Sequence, residues 1–162
     1  MNIAFTLFRF KNQLSSFFAS TSTAHKMAKV FLKPRRSEMK DWELRAELKG
    51  ERFNLSDDIS AIRWSAAPEL AIHKQILLVH GWESRATHMY GLVDGLLTLG
   101  YHVVALDMPG HGRSPGKSSN AHLFAQTVLL AEQTLGDFSV IIGHSMGASA
   151  TSIAVGNGLK PE

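Results

Sequence analysis

The 162-residue sequence contains no cysteine. Disulfides and thiolate metal sites are therefore excluded, and a reducing compartment such as the cytoplasm is expected. Residues 1–37 contain no Asp or Glu. They hold seven basic residues: Arg9, Lys11, Lys26, Lys29, Lys33, Arg35 and Arg36. All 14 acids lie in residues 38–162, so the formal net charge of +3 hides a basic arm and an acidic body. Long apolar runs are missing too. Arg9 and Lys11 interrupt Ile3, Phe5, Leu7, Phe8 and Phe10, leaving a stretch too short to span a bilayer. Its charge follows the apolar residues, the reverse of a secretory signal. There is no internal repeat and no low-complexity tract.

A basic arm favours anionic surfaces. With no nucleic-acid reading motif, no nucleic-acid partner is expected. The arm is also Ser-rich and acid-free, as removable targeting segments are. The expected reading is helices packed on the domain or lying on a membrane, with peripheral contact through residues 1–36 at the inner face. The expected division is a basic helical arm over residues 1–50 and a main, incomplete domain over residues 51–162. Within the arm, Ser37 is expected to cap a short helix reaching Lys49, with Met39, Trp42 and Ala46 on one face and Gly50 as its stop. Residues 52–55 and 59–65 flank Ser56-Asp57-Asp58, the pattern of a β-hairpin.

The pattern changes at Gln75. Residues 76–79, 103–106 and 140–142 are short, nearly continuous runs of Val, Ile and Leu. Such runs suit strands buried on both faces of a parallel sheet. Between them, Met89, Leu92, Val93, Leu96 and Leu97 fall at helical spacing before Gly100. Phe124, Val128, Ala131 and Leu135 do so between Asn120, a candidate cap, and Gly136. A third helix is expected from Met146 to Asn157, stopped by Gly158. The resulting fold class is α/β, a mostly parallel sheet with flanking helices. Ligands of such sheets bind beyond the carboxyl ends of the strands. Those ends are His80-Gly81-Trp82, Asp107-Met108-Pro109-Gly110 and Gly143-His144-Ser145.

Gly143-His144-Ser145-Met146-Gly147 fits G-x-S-x-G between a buried strand and a helix. A tight turn there strains Ser145 and thrusts its hydroxyl above the sheet. Gly143 and Gly147 lack β-carbons, so strand and helix can approach closely. The helix start offers free N–H groups to a developing oxyanion. Met146 N–H is one candidate donor. Trp82 N–H, following His80-Gly81, is the other.

These motifs, Leu78-Val79-His80-Gly81-Trp82, Asp107-Met108-Pro109-Gly110-His111-Gly112-Arg113-Ser114 and the Ser145 pentapeptide, resemble the α/β-hydrolase superfamily. The resemblance is strongest to its lipase, esterase and monoacylglycerol-lipase-like branch and spans residues 52–161. It implies Ser145 as nucleophile, with Trp82 and Met146 as oxyanion donors. It implies structural roles for His80 and Gly81, and for Asp107, which opens the loop that floors the site. Serine at position 145 argues against the epoxide-opening and dehalogenating relatives, which use aspartate there. Ala148 replaces a glycine common in the family.

The triad order is Ser, then acid, then His, yet no Asp or His follows Ser145. This chain alone is therefore expected to be an inactive, truncated part of a longer hydrolase. Upstream histidines are poor substitutes. His144 is expected to point into the scaffold, and His111 is the nearest alternative base. His25, His73, His88, His102 and His122 read as surface or packing residues. Asp94 is expected on a helix surface, and Glu83 and Arg85 as solvated loop charges. Eight histidines without ligand spacing imply no metal, and no cofactor is expected. The expected function is hydrolysis of a carboxylic ester, an acyl-glycerol or small ester. A non-catalytic binding module is the alternative.

Overall fold

The computed structural model describes residues 3–161. They divide into two compact units at Lys33 and Pro34. The first contains helix α1, Ile3–Phe18, and helix α2, Ser20–Phe31. A hydrogen bond of 2.8 Å joins the Ser15 and Thr23 hydroxyls. The boundary lies earlier than residue 50, the expected end of the arm. Residues 34–50 belong to the second unit because buried side chains tie them to it.

Helix α3 of that unit spans Asp41–Leu48. Ser37 does not cap it. The Lys40 N–H instead donates to Glu43 Oε2 at 2.9 Å, and Ser37 accepts from Arg85. The inward face also differs from expectation: Glu43 and Ala46 are buried, while Trp42 is 42% exposed. Trp64 decides this packing, because its indole N–H donates to the Ala46 carbonyl at 3.0 Å.

Strands β1, Glu51–Ser56, and β2, Ile59–Trp64, form the expected antiparallel hairpin. Strands β3, Gln75–Val79, β4, His102–Leu106, and β5, Val140–Gly143, follow. The sheet order is β1-β2-β4-β3-β5, with β3, β4 and β5 mutually parallel and β2 antiparallel to β4. Successive residues of β3 and β4 face opposite sides. Leu77, Val79, Val104 and Leu106 pack with Phe124, Val128, Ala150 and Ala154 on one side. Ile76, Leu78, Val103 and Ala105 pack with Trp64, Met89 and Val93 on the other. Both faces are thus covered, which explains the continuous apolar runs.

Between β3 and β4 the chain forms a 3₁₀ stretch, Ala86–Leu92, and then α4, Val93–Thr98. A single regular helix was expected there. Gly91 and Gly95 each weaken helix formation by about 1 kcal/mol relative to alanine, and the Ala86 N–H is tied to Asp107 Oδ1 at 2.8 Å. Helix α5, Ala121–Leu135, starts as expected at Asn120, whose side chain accepts from Leu123 N–H at 2.9 Å. Helix α6, Met146–Gly156, follows β5 directly. Strand β3 lies between β4 and β5, so the segment after it stands between the Asp107 loop and Ser145.

Candidate active site

Ser145 has φ 54° and ψ −119°. This region is sparsely populated for a residue with a side chain, and holding it costs about 1–3 kcal/mol. The surroundings fix it in place. His144 N–H donates to the Val79 carbonyl at 2.9 Å, Gly147 N–H to the His144 carbonyl at 2.9 Å, and Ala148 N–H to the Ser145 carbonyl at 3.0 Å. The glycines are required by space. A β-carbon on Gly147 would lie 2.2 Å from the Val79 carbonyl oxygen, and one on Gly143 would lie 2.6 Å from the Ala148 Cα. Ser145 itself is exposed.

Gly81 abuts the elbow: a β-carbon on it would lie 3.1 Å from Ser145 Cβ. Trp82 and Met146 are half-buried. Among the described residues, neither of their N–H groups has an acceptor. His80 sets the orientation of the first. Its ring is buried, with Nδ1 at 2.7 Å from the Gly81 carbonyl oxygen and Nε2 accepting from Met108 N–H at 3.0 Å. That acceptor role places the single imidazole proton on Nδ1. The C=O and N–H of a trans peptide point in opposite directions, so holding the Gly81 carbonyl turns the Trp82 N–H away from His80. Burial pushes the His80 pKa down to about 4, outweighing the opposing hydrogen bond to Gly81. The ring is neutral at pH 7.

Asp107 links three segments. Its Oδ1 accepts from Ala86 N–H, and its Oδ2 from Arg113 N–H at 3.0 Å and Arg52 at 2.9 Å. His111 is 2% exposed. Its Nδ1 lies 3.0 Å from the Pro109 carbonyl oxygen, and its ring packs edge-on against Trp82 and Phe124. Burial pushes its pKa down. Its Nε2 has no partner among the described residues. His144 is exposed rather than turned into the scaffold, because the elbow places it at the mouth of a cleft with Ser84, His88, Met89, Leu92 and Gly143.

Two charges expected to be solvated are engaged. Arg85 is buried, donating to the Ser37 carbonyl at 2.6 Å and approaching Glu43 to 3.4 Å. Glu83 pairs with Arg35 at 2.7 Å. Arg36 donates to the carbonyls of Gly112 and Ser114, so the last two basic residues of the acid-free stretch 1–37 hold the body's own loops. Glu43 is the residue that sequence reasoning missed. It also accepts from Thr87 at 2.9 Å and lies 3.1 Å from His88. Burial pushes its carboxyl up, but the bonds from Lys40 and Thr87 and the charges of Arg85 and His88 hold it below the ordinary value. The Glu43-to-Thr87 spacing carries no local signal. Among the described residues, no group of three His, Asp or Glu gathers as a metal site would require.

The profile described as "Alpha/beta hydrolase family" matches residues 76–159, half of the chain and all three strand-end motifs. The chain belongs to the α/β-hydrolase family. Within it, the chain is 35% identical over 101 residues to a serine hydrolase-like protein of Dictyostelium discoideum, covering 59% of this chain and 27% of that protein. It is 35% identical over 80 residues to the (E)-2-((N-methylformamido)methylene)succinate hydrolase of Acinetobacter baylyi, covering 48% of this chain and 30% of that one. The chain thus spans less than a third of the curated relatives it matches. A thioesterase domain from the curacin biosynthetic pathway superposes with a TM-score of 0.58 at 30% identity, over 69% of this chain and 41% of that domain.

Proposed function

We propose that this chain contributes the nucleophile and oxyanion hole of a serine hydrolase acting on carboxylic esters, either acyl-glycerols or small esters. One observation carries the reading: Ser145 is held in strained, positive-φ geometry at a strand-to-helix turn, with Gly81 against it and the N–H groups of Trp82 and Met146 without acceptors among the described residues. In the reaction, Ser145 Oγ bonds to the carbonyl carbon. The carbonyl π electrons move to its oxygen, which accepts from the two N–H groups. The serine proton passes to a histidine, which returns it to the departing alcohol. Water then releases the acid from the acyl-enzyme and regenerates the serine. Each oxyanion donor contributes about 10²–10³ in rate.

On this reading, the histidine and its acid come from outside residues 3–161. His80 has both nitrogens engaged, and His111 is packed beneath Trp82. A serine without a base is a weak nucleophile, so residues 3–161 alone turn over little ester. The lack of a hydrogen-bonded base on Ser145 among the described residues also supports the second reading, a non-catalytic binding module. A fluorophosphonate probe separates the two. The serine-hydrolase reading expects a single adduct that Ser145→Ala abolishes, in a protein that also supplies the histidine and acid. Equal labelling of both proteins, or labelling of neither, removes Ser145 from its role.

A further inference from the structure

The first unit presents an apolar surface that its own helices do not cover. In α1, Ile3, Leu7, Phe10, Leu14, Phe17 and Phe18 recur at helical spacing. At 3.6 residues per turn they fall within an arc of about 100°. All are exposed: Ile3 by 76%, Leu14 by 55% and Phe17 by 84%. The opposite side carries Arg9, Asn12 and Ser16, the last two bonded to carbonyls within the helix, together with Phe5 and Phe8, exposed by 59% and 43%. Helix α2 repeats the segregation, with Lys26 and Lys29, and Lys33 just beyond it, on one side and Met27 and Phe31 on the other. Phe31 is 79% exposed.

Two properties identify what such a surface meets. A water-exposed stripe of six large apolar side chains is costly, at about 25 cal/mol per Å², so an apolar phase stabilises it. Arg9, Lys11, Lys26, Lys29 and Lys33 accompany it with no acidic residue in the unit, so the occupant carries negative charge. Among the described residues, no helix is long and apolar enough to cross a membrane. A helix with a continuous apolar stripe, polar and basic residues mainly on its other side and neighbouring lysines lies in the plane of the headgroups. We propose that residues 3–33 form a helical hairpin that docks on an anionic lipid bilayer, inserting the Ile3-to-Phe18 stripe of α1 while the lysines of α2 meet lipid phosphates. The assignment stands independently of the chemistry of Ser145.

The test is co-sedimentation of the full chain with vesicles of phosphatidylcholine alone and of phosphatidylcholine mixed with phosphatidylglycerol, at low and high salt. Binding to the anionic vesicles, weakened by salt, is expected. Each basic residue near an anionic surface contributes about 1 kcal/mol, so Lys26→Gln/Lys29→Gln/Lys33→Gln together weaken binding about a hundredfold. Leu14→Asp, at an exposed position, abolishes binding while far-ultraviolet circular dichroism stays unchanged. Equal binding to both vesicle types overturns the proposal, as does no binding to either. A chain that ignores vesicles but is a dimer dispersed by Leu14→Asp also overturns it and assigns the stripe to a second copy.

Discussion

His80 ties the stability of this fold to pH in a way that can be worked out. Its ordinary pKa is 6.5, and burial lowers the folded value to about 4. Above pH 6.5 the ring is neutral in both states, and its full contribution to folding is present. As pH falls from 6.5 towards 4, the unfolded chain binds a proton that the folded chain refuses, and stability is lost. By pH 5 this linkage removes about 2 kcal/mol, and below pH 4 it approaches about 3 kcal/mol. Urea unfolding at pH 7, 6 and 5 measures it directly. His80→Gln keeps an acceptor for the Met108 N–H and is less stable at pH 7, but its stability changes less between pH 7 and 5. The difference between the two pH dependences is the His80 contribution, since His88 and His111, also held down by burial, remain in both proteins. Parallel pH dependences would refute a buried neutral His80, and with it the argument for how the Trp82 N–H is aimed.

Three further outcomes follow from the contacts. Gly147→Ala places a β-carbon 2.2 Å from the Val79 carbonyl oxygen and 2.6 Å from that of His80; overpacking against backbone costs about 1–3 kcal/mol, and urea denaturation that finds no loss would contradict the close approach of α6 to β3. Asp107→Asn takes the charge from the buried end of its pair with Arg52 and is expected to cost about 3–5 kcal/mol, against an exposed control such as Asp58→Asn that changes little. Glu43→Gln removes the charge that raises the His88 pKa, so His88 titrates lower in the variant by nuclear magnetic resonance, and an unchanged titration would show that the two do not interact.

The sheet and the elbow were legible because their signals are local. Continuous apolar runs mark β3, β4 and β5, Asn120 caps α5 through its own third-following N–H, and G-x-S-x-G sits at a strand-to-helix junction. What escaped depends on distant partners. Ser37 is a good cap by residue type, but Arg85, 48 residues away, takes its oxygens. Glu43 looks like a solvent-facing helix residue until Thr87, Arg85 and His88 converge on it. Arg35 and Arg36 read as part of a basic arm, yet their partners Glu83, Gly112 and Ser114 lie in the body. His144 faces outward because the turn that strains Ser145 also rotates its neighbour, a consequence of backbone geometry rather than of residue type. The stretch from Ala86 to Thr98 has helical periodicity, but Gly91, Gly95 and the Asp107 anchor turn its first half into a 3₁₀ segment.

The most direct measurement of the proposed oxyanion-hole geometry is a crystal structure of the phosphonylated protein. It should show the adduct on Ser145 Oγ, Ser145 retaining its positive φ, and one phosphonyl oxygen about 2.7–3.1 Å from both the Trp82 and Met146 nitrogens. An adduct whose oxygen points to solvent, or a Ser145 relaxed to negative φ, would contradict it.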